Sequence, residues 1–458
     1  MDRLRPDSSV APDGIATEGS HHIVLPIPVL RSMMAVFVTN PSAAITSDLG
    51  ISRLGNGRTE WLVRPSSTTR YAVSRSLPSH RRLLWSYRSE RETTRFPPSS
   101  NAFPAGVAAA LVLAETASGL SLHGYMQSAR AQWQPVSAVR LIGAGFHTSA
   151  TKWPSVIAQA LGLDATTSRW SRTAGALGGN DILERIRYVK GVIVGAGRTG
   201  SLLASAVARL GLPLDLVDSD VIELHNLGEM EAVGESDIGR FKAEALACTL
   251  TRLTPSEIVA VNRPILDPDA IARIKACDLM ACCVDNDAAR LAAGILATLY
   301  HKPLCDIGSG IFLAGRNQRQ DFPGGERTMG TDIRLLLPAD GCLLCHGGLA
   351  DFDGALARLA NARAPEDDPD GWRQQRSGSL RSLNQMATGL ALQMIQDLVA
   401  ARLAESTWVR IEITPSGRAA VSYPQVSREP SCPLCALSGL GDEGLAWLPG
   451  LAASNVHL

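Results

Sequence analysis

The chain has 458 residues, of which 45% are hydrophobic and 19% are charged, a composition typical of a soluble globular protein of two or three domains. Its 44 basic and 44 acidic side chains balance, so no global field favours nucleic acid or an anionic membrane as the partner. No window reaches the roughly 18 uninterrupted apolar residues of a membrane span, and the N-terminus lacks a secretory signal pattern. We therefore expect a cytoplasmic protein without a membrane segment.

The first 165 residues are predicted to form an N-terminal α+β region, to which the sequence assigns no role. Residues 21 to 63 contain apolar or alternating runs, such as HIVLPIPVL and RTEWLVR, and are predicted to be mostly strand. The alanine-rich segment from residue 105 to 118 predicts a helix, and AVRLIGAGF predicts a strand after it.

Residues 64 to 100 are rich in serine, proline and arginine, which break every helix or strand period, so they predict a linker or a long loop. Arginine and aromatic residues are interleaved there in a composition that could follow a nucleic-acid backbone. Because these arginines lie on no common face, a solvated loop is the preferred interpretation. Nucleic acid is therefore not expected as a partner.

From residue 166 onward, short apolar strands alternate with helices. The predicted strands span residues 191 to 195, 213 to 218, 258 to 261, 279 to 284 and 303 to 307. A long helix over residues 380 to 404 precedes a strand in which Val409, Ile411 and Ile413 face one way. The pattern predicts an α/β fold with a doubly wound, Rossmann-like, mainly parallel sheet and antiparallel strands added by the C-terminal segment.

The stretch VIVGAGRTGS runs from a predicted strand through a glycine loop into a predicted helix. Gly195, Gly197 and Gly200 let the backbone turn sharply and approach a phosphate, and the helix offers unpaired N–H groups and the positive end of its dipole. Asp218 ends the next strand, where it can accept hydrogen bonds from ribose hydroxyls. Such a glycine loop also occurs without a ligand, where a helix merely packs on a sheet. Where it does bind a ligand, this can be a nicotinamide cofactor or a nucleotide that is consumed in the reaction.

Polar residues after the later strands favour a consumed nucleotide. Asp220 and Asn226 lie in DSDVIELHNL, Lys242 begins a helix after IGRF, and Asp285 ends a strand in CCVDND. Ligands of a parallel sheet bind at the carboxyl ends of its strands, and these residues follow such ends, so we expect their side chains to lie close together. A lysine for polyphosphate and carboxylates for Mg²⁺ suit nucleotidyl transfer from ATP better than hydride transfer. An NAD-dependent oxidoreductase remains an alternative.

Four of the nine cysteines form two Cys-x-x-Cys pairs, Cys342 with Cys345 and Cys432 with Cys435. Two such pairs supply the four thiolates of a tetrahedral Zn²⁺ site. The sequence indicates no open coordination position, so the zinc is predicted to be structural and to tie the C-terminal strands to the core. Redox-active dithiols and unpaired core cysteines are the alternatives.

Eight segments resemble, in order, the motifs of the ThiF/MoeB family. They are SRTAGALGG, VIVGAGRTGS, DSDVIELHNL, IGRFK, CVDN, CLLC, SGSLRSLNQMATG and SCPLC, and they span the chain from about residue 169 to its C-terminus. Members of the family are adenylyltransferases related to ubiquitin-activating enzymes, and they adenylate the C-terminal glycine of a ubiquitin-like or sulfur-carrier protein. The resemblance implies that residues 166 to 458 are an ATP-binding adenylation domain. It also implies that the protein is a homodimer and that its substrate partner is such a carrier protein or a modified peptide.

The resemblance implies a role for each matching residue. Gly195, Gly197 and Gly200 would surround ATP, and Asp218 would bind its ribose, with Asp220 beside it. Asn226 and Lys242 would reach the phosphates, and Asp285 would coordinate Mg²⁺. Arg172 would be inserted from a partner protomer. Attack of a carboxylate on the α-phosphorus concentrates negative charge, which fixed cations stabilise.

One position departs from the family pattern. The family usually has an arginine two residues after its Asn-Leu, whereas this chain has Glu229 there. A carboxylate at that place repels a triphosphate unless it points away, so activity would require another arginine to substitute. Arg198 and Arg290 are the nearest candidates in the sequence. The alternative is a catalytically impaired nucleotide-binding scaffold or sensor.

Ubiquitin-activating members of the family pass the activated carboxylate to a cysteine between the two cysteine pairs, because a thiolate can trap it as a thioester. No cysteine lies between His346 and Ser431 in this chain, and Cys305 is the internal rival. We therefore expect the enzyme to stop at the acyl-adenylate and to deliver it to an external sulfur or amine donor.

Overall fold

The computed structural model describes residues 20–40, 45–65, 82–88, 107–116, 119–127, 133–143, 145–148, 176, 180–313, 327–349, 351–360, 380–414, 416–425, 428–446 and 448. Two mixed sheets organise these residues, one of nine strands from the N-terminal region and one of eight strands from the rest. The predicted α/β class and an N-terminal α+β region are both present.

The N-terminal sheet is formed before residue 150. Its strands are β1 (His21–Pro26), β2 (Ile45–Arg53), β3 (Thr59–Val63), β4 (Arg82–Arg88), β5 (Val107–Thr116), β6 (Gly119–Gln127), β7 (Trp133–Pro135), β8 (Ala138–Gly143) and β9 (Gly145–Thr148). They are arranged in the order β7-β6-β5-β4-β2-β3-β1-β8-β9. Helix α1 (Ile27–Thr39) packs on one face of this sheet.

Helix α1 corrects the prediction that residues 21 to 63 are mostly strand. Pro26 is extended and Pro28 lies in the first turn, where its missing N–H is not needed for a helical hydrogen bond. Val29, Met33 and Phe37 recur at four-residue spacing and are buried against the sheet. This four-residue spacing indicates a helix, but the other apolar residues around it made the segment resemble a strand.

Strand β5 replaces the helix predicted for residues 105 to 118. Ala109, Ala110 and Leu111 are fully buried, and β5 lies between β4 and β6. Burial of both strand faces outweighs the helix preference of alanine. Likewise β4 lies inside the predicted linker of residues 64 to 100, with Leu83 and Trp85 buried in the core. Residues 66–81 and 89–100 of that segment lie outside the described residues.

The second sheet confirms the predicted doubly wound arrangement. Its strands are β10 (Gly191–Val194), β11 (Leu214–Val217), β12 (Ile258–Val261), β13 (Leu279–Cys282), β14 (Leu304–Leu313), β15 (Arg327–Leu336), β16 (Thr407–Ile413) and β17 (Ala419–Ser422). The order is β12-β11-β10-β13-β14-β15-β16-β17. The strands from β10 to β14 pair in parallel, and β15, β16 and β17 add antiparallel pairs.

Helices cover both faces of the second sheet. They are α2 (Asn180–Tyr188), α3 (Arg198–Arg209), α4 (Lys242–Leu253), α5 (Pro268–Ala276), α6 (Asp287–Leu299), α7 (Phe352–Ala360), α8 (Arg381–Val399) and α9 (Asp442–Leu445). Residues of α2, α3, α4 and α8 share one core, and residues of α5, α6 and α7 share the other. None of the helices in the described ranges combines the length and hydropathy needed to cross a membrane.

The N-terminal sheet contacts the segment that follows the second cysteine pair. The Arg64 guanidinium donates hydrogen bonds to the carbonyl oxygens of Ala436 at 3.0 Å and Ser438 at 3.1 Å. Gly50 of β2 lies so close to Gly439 that a Cβ atom would stand 1.8 Å from the Gly439 carbonyl oxygen. The two regions therefore meet backbone to backbone.

A buried carboxylate joins the N-terminal sheet to the connection between α6 and β14. Glu60 of β3, which is 1% exposed, lies 2.7 Å from an Arg140 nitrogen, 3.1 Å from Arg58 and 3.7 Å from the Lys302 ammonium. Burial would raise the pKa of Glu60, but the three cations outweigh burial and hold this pKa below its ordinary value. Lys302 also donates to the carbonyl oxygen of Cys277, so the carboxylate forms part of a desolvated network.

Replacement of Glu60 by glutamine is expected to lower the free energy of unfolding by about 3 kcal/mol, because it leaves buried cations without their carboxylate. Urea unfolding at neutral pH measures the change. The folded pKa of Glu60 lies below the unfolded one, so its contribution is present near neutral pH and is lost as the pH falls through the folded pKa. The difference between the variant and the unaltered protein should therefore shrink in acid.

The matched control is Glu244→Gln, which removes an exposed partner of Arg240. It is expected to leave the unfolding midpoint unchanged. Equal effects of the two substitutions would show that the Glu60 network contributes nothing special to stability.

Candidate nucleotide site

The glycine loop lies between β10 and α3, where the order of the parallel strands reverses. Gly195 has φ of +90°, and a Cβ atom there would lie 3.0 Å from the Cys283 carbonyl group. A Cβ atom on Gly200 would lie 1.8 Å from the Gly195 carbonyl oxygen. Around Gly197, in contrast, a Cβ atom meets nothing within 4 Å among the described atoms. Two glycines thus allow close packing, and the third leaves room for a ligand.

Asp218 ties the end of β11 to this loop. One carboxylate oxygen accepts a hydrogen bond from the Ala196 N–H at 2.7 Å, and the other accepts from the Asp220 N–H at 2.8 Å. Burial raises the pKa of Asp218, although both N–H groups and Lys242 act in the opposite direction. Each carboxylate oxygen can accept a second hydrogen bond, so the predicted ribose contact is compatible with this geometry.

Lys242, at the first position of α4, meets the same edge of the sheet. Its ammonium group lies 2.7 Å from a carboxylate oxygen of Asp220, and its own N–H donates to the Asp220 carbonyl oxygen at 2.9 Å. The Lys242 side chain is 13% exposed and that of Asp220 is 65% exposed. Contacts therefore run without a break from the glycine loop through Asp218 and Asp220 to Lys242.

Asn226 closes a short 3-10 turn in the crossover between β11 and α4. Its side-chain oxygen accepts from the Glu223 N–H at 2.9 Å, and its carbonyl oxygen accepts from the N–H groups of Glu229 and Met230. The predicted phosphate residue thus shapes the loop in which Glu229 lies.

Glu229 has a cationic partner. The Arg198 Nε atom, on the first residue of α3, lies 2.6 Å from a Glu229 carboxylate oxygen. Arg381, on the first residue of α8, donates to the Glu229 carbonyl oxygen at 3.3 Å and pairs with the Glu231 carboxylate. Sequence reasoning missed Arg381, because nothing in its own segment points to the crossover.

Asp285 follows β13, next to the backbone that Gly195 contacts. It is exposed, and the neighbouring Asn286 caps α6 by accepting from the Ala289 N–H at 2.8 Å. The strand order places β13 beside β10, so Asp285 belongs to the same edge as the glycine loop. An exposed carboxylate at this place can serve a cation.

Arg290 lies in a buried ion-pair network instead of facing solvent. Its Nε atom is 3.2 Å from one oxygen of the fully buried Asp306, and Arg334 lies 3.1 Å from the other oxygen. Arg290 also donates to the Val284 carbonyl oxygen at 3.0 Å, and Asp306 raises the pKa of Arg290. The position of Asp306 in a buried strand was the signal that the sequence offered for this network.

The four paired cysteines converge into one cluster. Their sulfur atoms all lie within 4.8 Å of one another, with separations of 3.5 Å for Cys342–Cys432 and 3.6 Å for Cys345–Cys435. Sulfurs placed about 2.3 Å from a central zinc in a tetrahedron stand about 3.8 Å apart. The residues therefore fit a structural Zn²⁺ site.

Cys305 is fully buried in β14 and shares the core with α3 and α8. Burial raises the pKa of its thiol, and Asp306 and Cys282 raise it further. A buried thiol of this kind is a poor nucleophile. Arg172, predicted to reach a partner protomer, lies outside the described residues.

Residues 170–433, more than half of the chain, match the family model described as the ThiF family, so this protein belongs to that family. Among its relatives, "Adenylyltransferase and sulfurtransferase MOCS3" of Mus musculus is 35% identical over 115 residues, which are 25% of each chain. "Ubiquitin-like modifier-activating enzyme 5" of Drosophila melanogaster is 34% identical over 123 residues, 24% of this chain and 30% of that one. The chain thus spans between a quarter and a third of these relatives.

Among solved structures, E. coli MccB is similar to this chain. Its complex with ATP is 19% identical, has a TM-score of 0.43 and covers 59% of this chain and 75% of that chain. The complex of MccB with N-formylated MccA is also 19% identical, has a TM-score of 0.44 and covers 59% of this chain and 76% of that chain.

Proposed function

We propose that this protein is an ATP- and Mg²⁺-dependent adenylyltransferase that activates the C-terminal carboxylate of a ubiquitin-like or sulfur-carrier protein or of a modified peptide. One observation carries the proposal: the chain of contacts from the glycine loop through Asp218 and Asp220 to Lys242 at the switch point of the sheet. Membership of the ThiF family and relatives named as adenylyltransferases support it.

In the proposed reaction, a carboxylate oxygen of the acceptor attacks the α-phosphorus of ATP, the bond to the β-phosphate oxygen breaks, and pyrophosphate leaves. The open space at Gly197 admits the phosphates, and Lys242 offsets the negative charge that grows on them. Asp218 accepts from the ribose, and Asp285 would hold Mg²⁺, which supplies further charge neutralisation when bound. The side chains of the protein thus position the two substrates and neutralise the charge on the phosphates, without forming a covalent bond themselves.

The product is proposed to be a mixed anhydride that an external sulfur or amine donor consumes. The sequence has no cysteine between His346 and Ser431, and the Cys305 thiol is buried in the core. We further propose a homodimer, with Arg172 reaching the partner's nucleotide, and a cytoplasmic location.

The test is isotope exchange between pyrophosphate and ATP, combined with calorimetric titration with ATP and with NADH. We expect ATP to bind, NADH not to bind, and exchange to appear when a small protein or peptide acceptor with a free C-terminal glycine is added. Binding of NADH in place of ATP would identify an oxidoreductase. Tight ATP binding without exchange for any acceptor from the genomic neighbourhood would identify a nucleotide-binding scaffold.

A further inference from the structure

Two of the carboxylates in the crossover between β11 and α4 are paired with arginines from other elements. Glu229 pairs with Arg198 of the glycine loop, at 2.6 Å, and Glu231 pairs with Arg381 of α8. A lone carboxylate here would repel a polyphosphate, whereas a carboxylate that already holds a guanidinium does not add a net negative charge. The Glu229 and Glu231 carboxylates are therefore each neutralised by a guanidinium from outside the crossover.

We propose that Arg198 supplies the phosphate-binding cation that the crossover lacks, and that Glu229 is the positioning residue that orients the Arg198 guanidinium. This inference rests on the proposed function. Arg198 follows Gly197 directly, at the point where a ligand has room to approach, and it opens helix α3. A phosphate at this place would meet the guanidinium, the glycine backbone and the helix N-terminus together.

The contact atom explains why an arginine is needed. Arg198 meets Glu229 through Nε, and among the described residues Glu229 is the carboxylate that its guanidinium contacts. A guanidinium has five N–H donors in a planar fork, so one edge can hold the carboxylate while the terminal nitrogens bind a phosphate oxygen. A lysine ammonium can also contact two oxyanions, but as a compact point charge it lacks the planar fork that holds both at fixed angles.

Glu229 is itself held in place by its backbone. Its N–H donates to the Asn226 carbonyl oxygen at 3.0 Å, and its carbonyl oxygen accepts from Arg381 at 3.3 Å. The carboxylate therefore extends from a fixed point toward Arg198. Arg290, the other candidate cation, is committed to the buried Asp306 and to the Val284 carbonyl oxygen.

A double-mutant cycle on Arg198 and Glu229, measured by calorimetry with ATP and with adenosine, tests this assignment. Arg198→Ala is expected to weaken ATP binding about tenfold, the loss of one charge-assisted contact, without changing adenosine binding. Glu229→Gln is expected to weaken ATP binding severalfold in the unaltered protein and not at all in the Arg198→Ala background. Arg198→Lys should resemble alanine more than arginine.

The adenosine titration reports that the pocket is folded in every variant. Arg402→Ala, which removes an ion pair with Asp397 at the far end of α8, is the matched control and should bind ATP normally. Tighter ATP binding by Glu229→Gln in both backgrounds would mean that Glu229 only repels phosphate, which overturns the inference alone. Unchanged ATP binding by Arg198→Ala would do the same. Adenosine binding without ATP binding in the unaltered protein would overturn the inference and the proposed function together.

Discussion

Lys242→Ala is expected to reduce pyrophosphate–ATP exchange by at least about a hundredfold, the effect of removing one preorganised group from a charged transition state. The ammonium group is held 2.7 Å from Asp220 and is only 13% exposed, so its position is set before a nucleotide arrives. The fold should survive, because Asp220 is mostly exposed and returns to water when its partner is lost. Exchange kinetics and a thermal melt of the same preparation measure both effects.

Lys190→Ala provides the matched control for Lys242. Lys190 precedes β10, at the opposite edge of the sheet, where its ammonium group lies 3.0 Å from Asp215. Its loss should leave exchange intact.

Asp285→Asn should lower exchange and raise the Mg²⁺ concentration needed for half-maximal rate. Near-normal exchange by Lys242→Ala would remove Lys242 from the proposed phosphate site.

The cysteine cluster is expected to hold one equivalent of zinc per chain, and Cys342→Ser is expected to lose the metal together with a large part of the stability. Structural zinc contributes on the order of 10 kcal/mol in zinc-dependent folds, whereas an ordinary point substitution costs about 1 kcal/mol. Cys342 and Cys432 are both buried, so a ligand lost there also leaves polar groups unpaired in the core. Elemental analysis and thermal unfolding, before and after chelation, measure the two losses.

Cys248→Ser is the control, because Cys248 is an exposed thiol outside the cluster. It should keep its zinc and its melting temperature. Less than about a tenth of an equivalent of zinc in freshly purified, reduced protein would contradict the assignment of a metal site.

The second sheet and its edge could be read from the sequence because their signals are local. The four residues of β10 are all buried, as are those of β11 and β13, and such short apolar runs between helices are typical of a parallel sheet covered on both faces. The glycine loop and the cysteine pairs likewise depend on spacing within a few residues.

The misread parts depend on contacts between distant segments. Helix α1 and strand β5 have apolar compositions that suit either state, and tertiary burial decided between them. The pairing of Glu229 with Arg198 and the burial of Arg290 beside Asp306 join elements whose approach no local pattern encodes. The sequence therefore showed the charge of each of these side chains but not the opposite charge that each one is paired with in the fold.

The contact between β2 and the segment after Cys435 limits how this architecture can change in evolution. Gly50 and Gly439 leave no room for side chains between them, and the Glu60 carboxylate lies 3.7 Å from the Lys302 ammonium, outside the N-terminal sheet. An N-terminal module borrowed from another protein would have to reproduce both features at once. A larger side chain at Gly50 or Gly439 is therefore expected to require a compensating change on the other side of this contact.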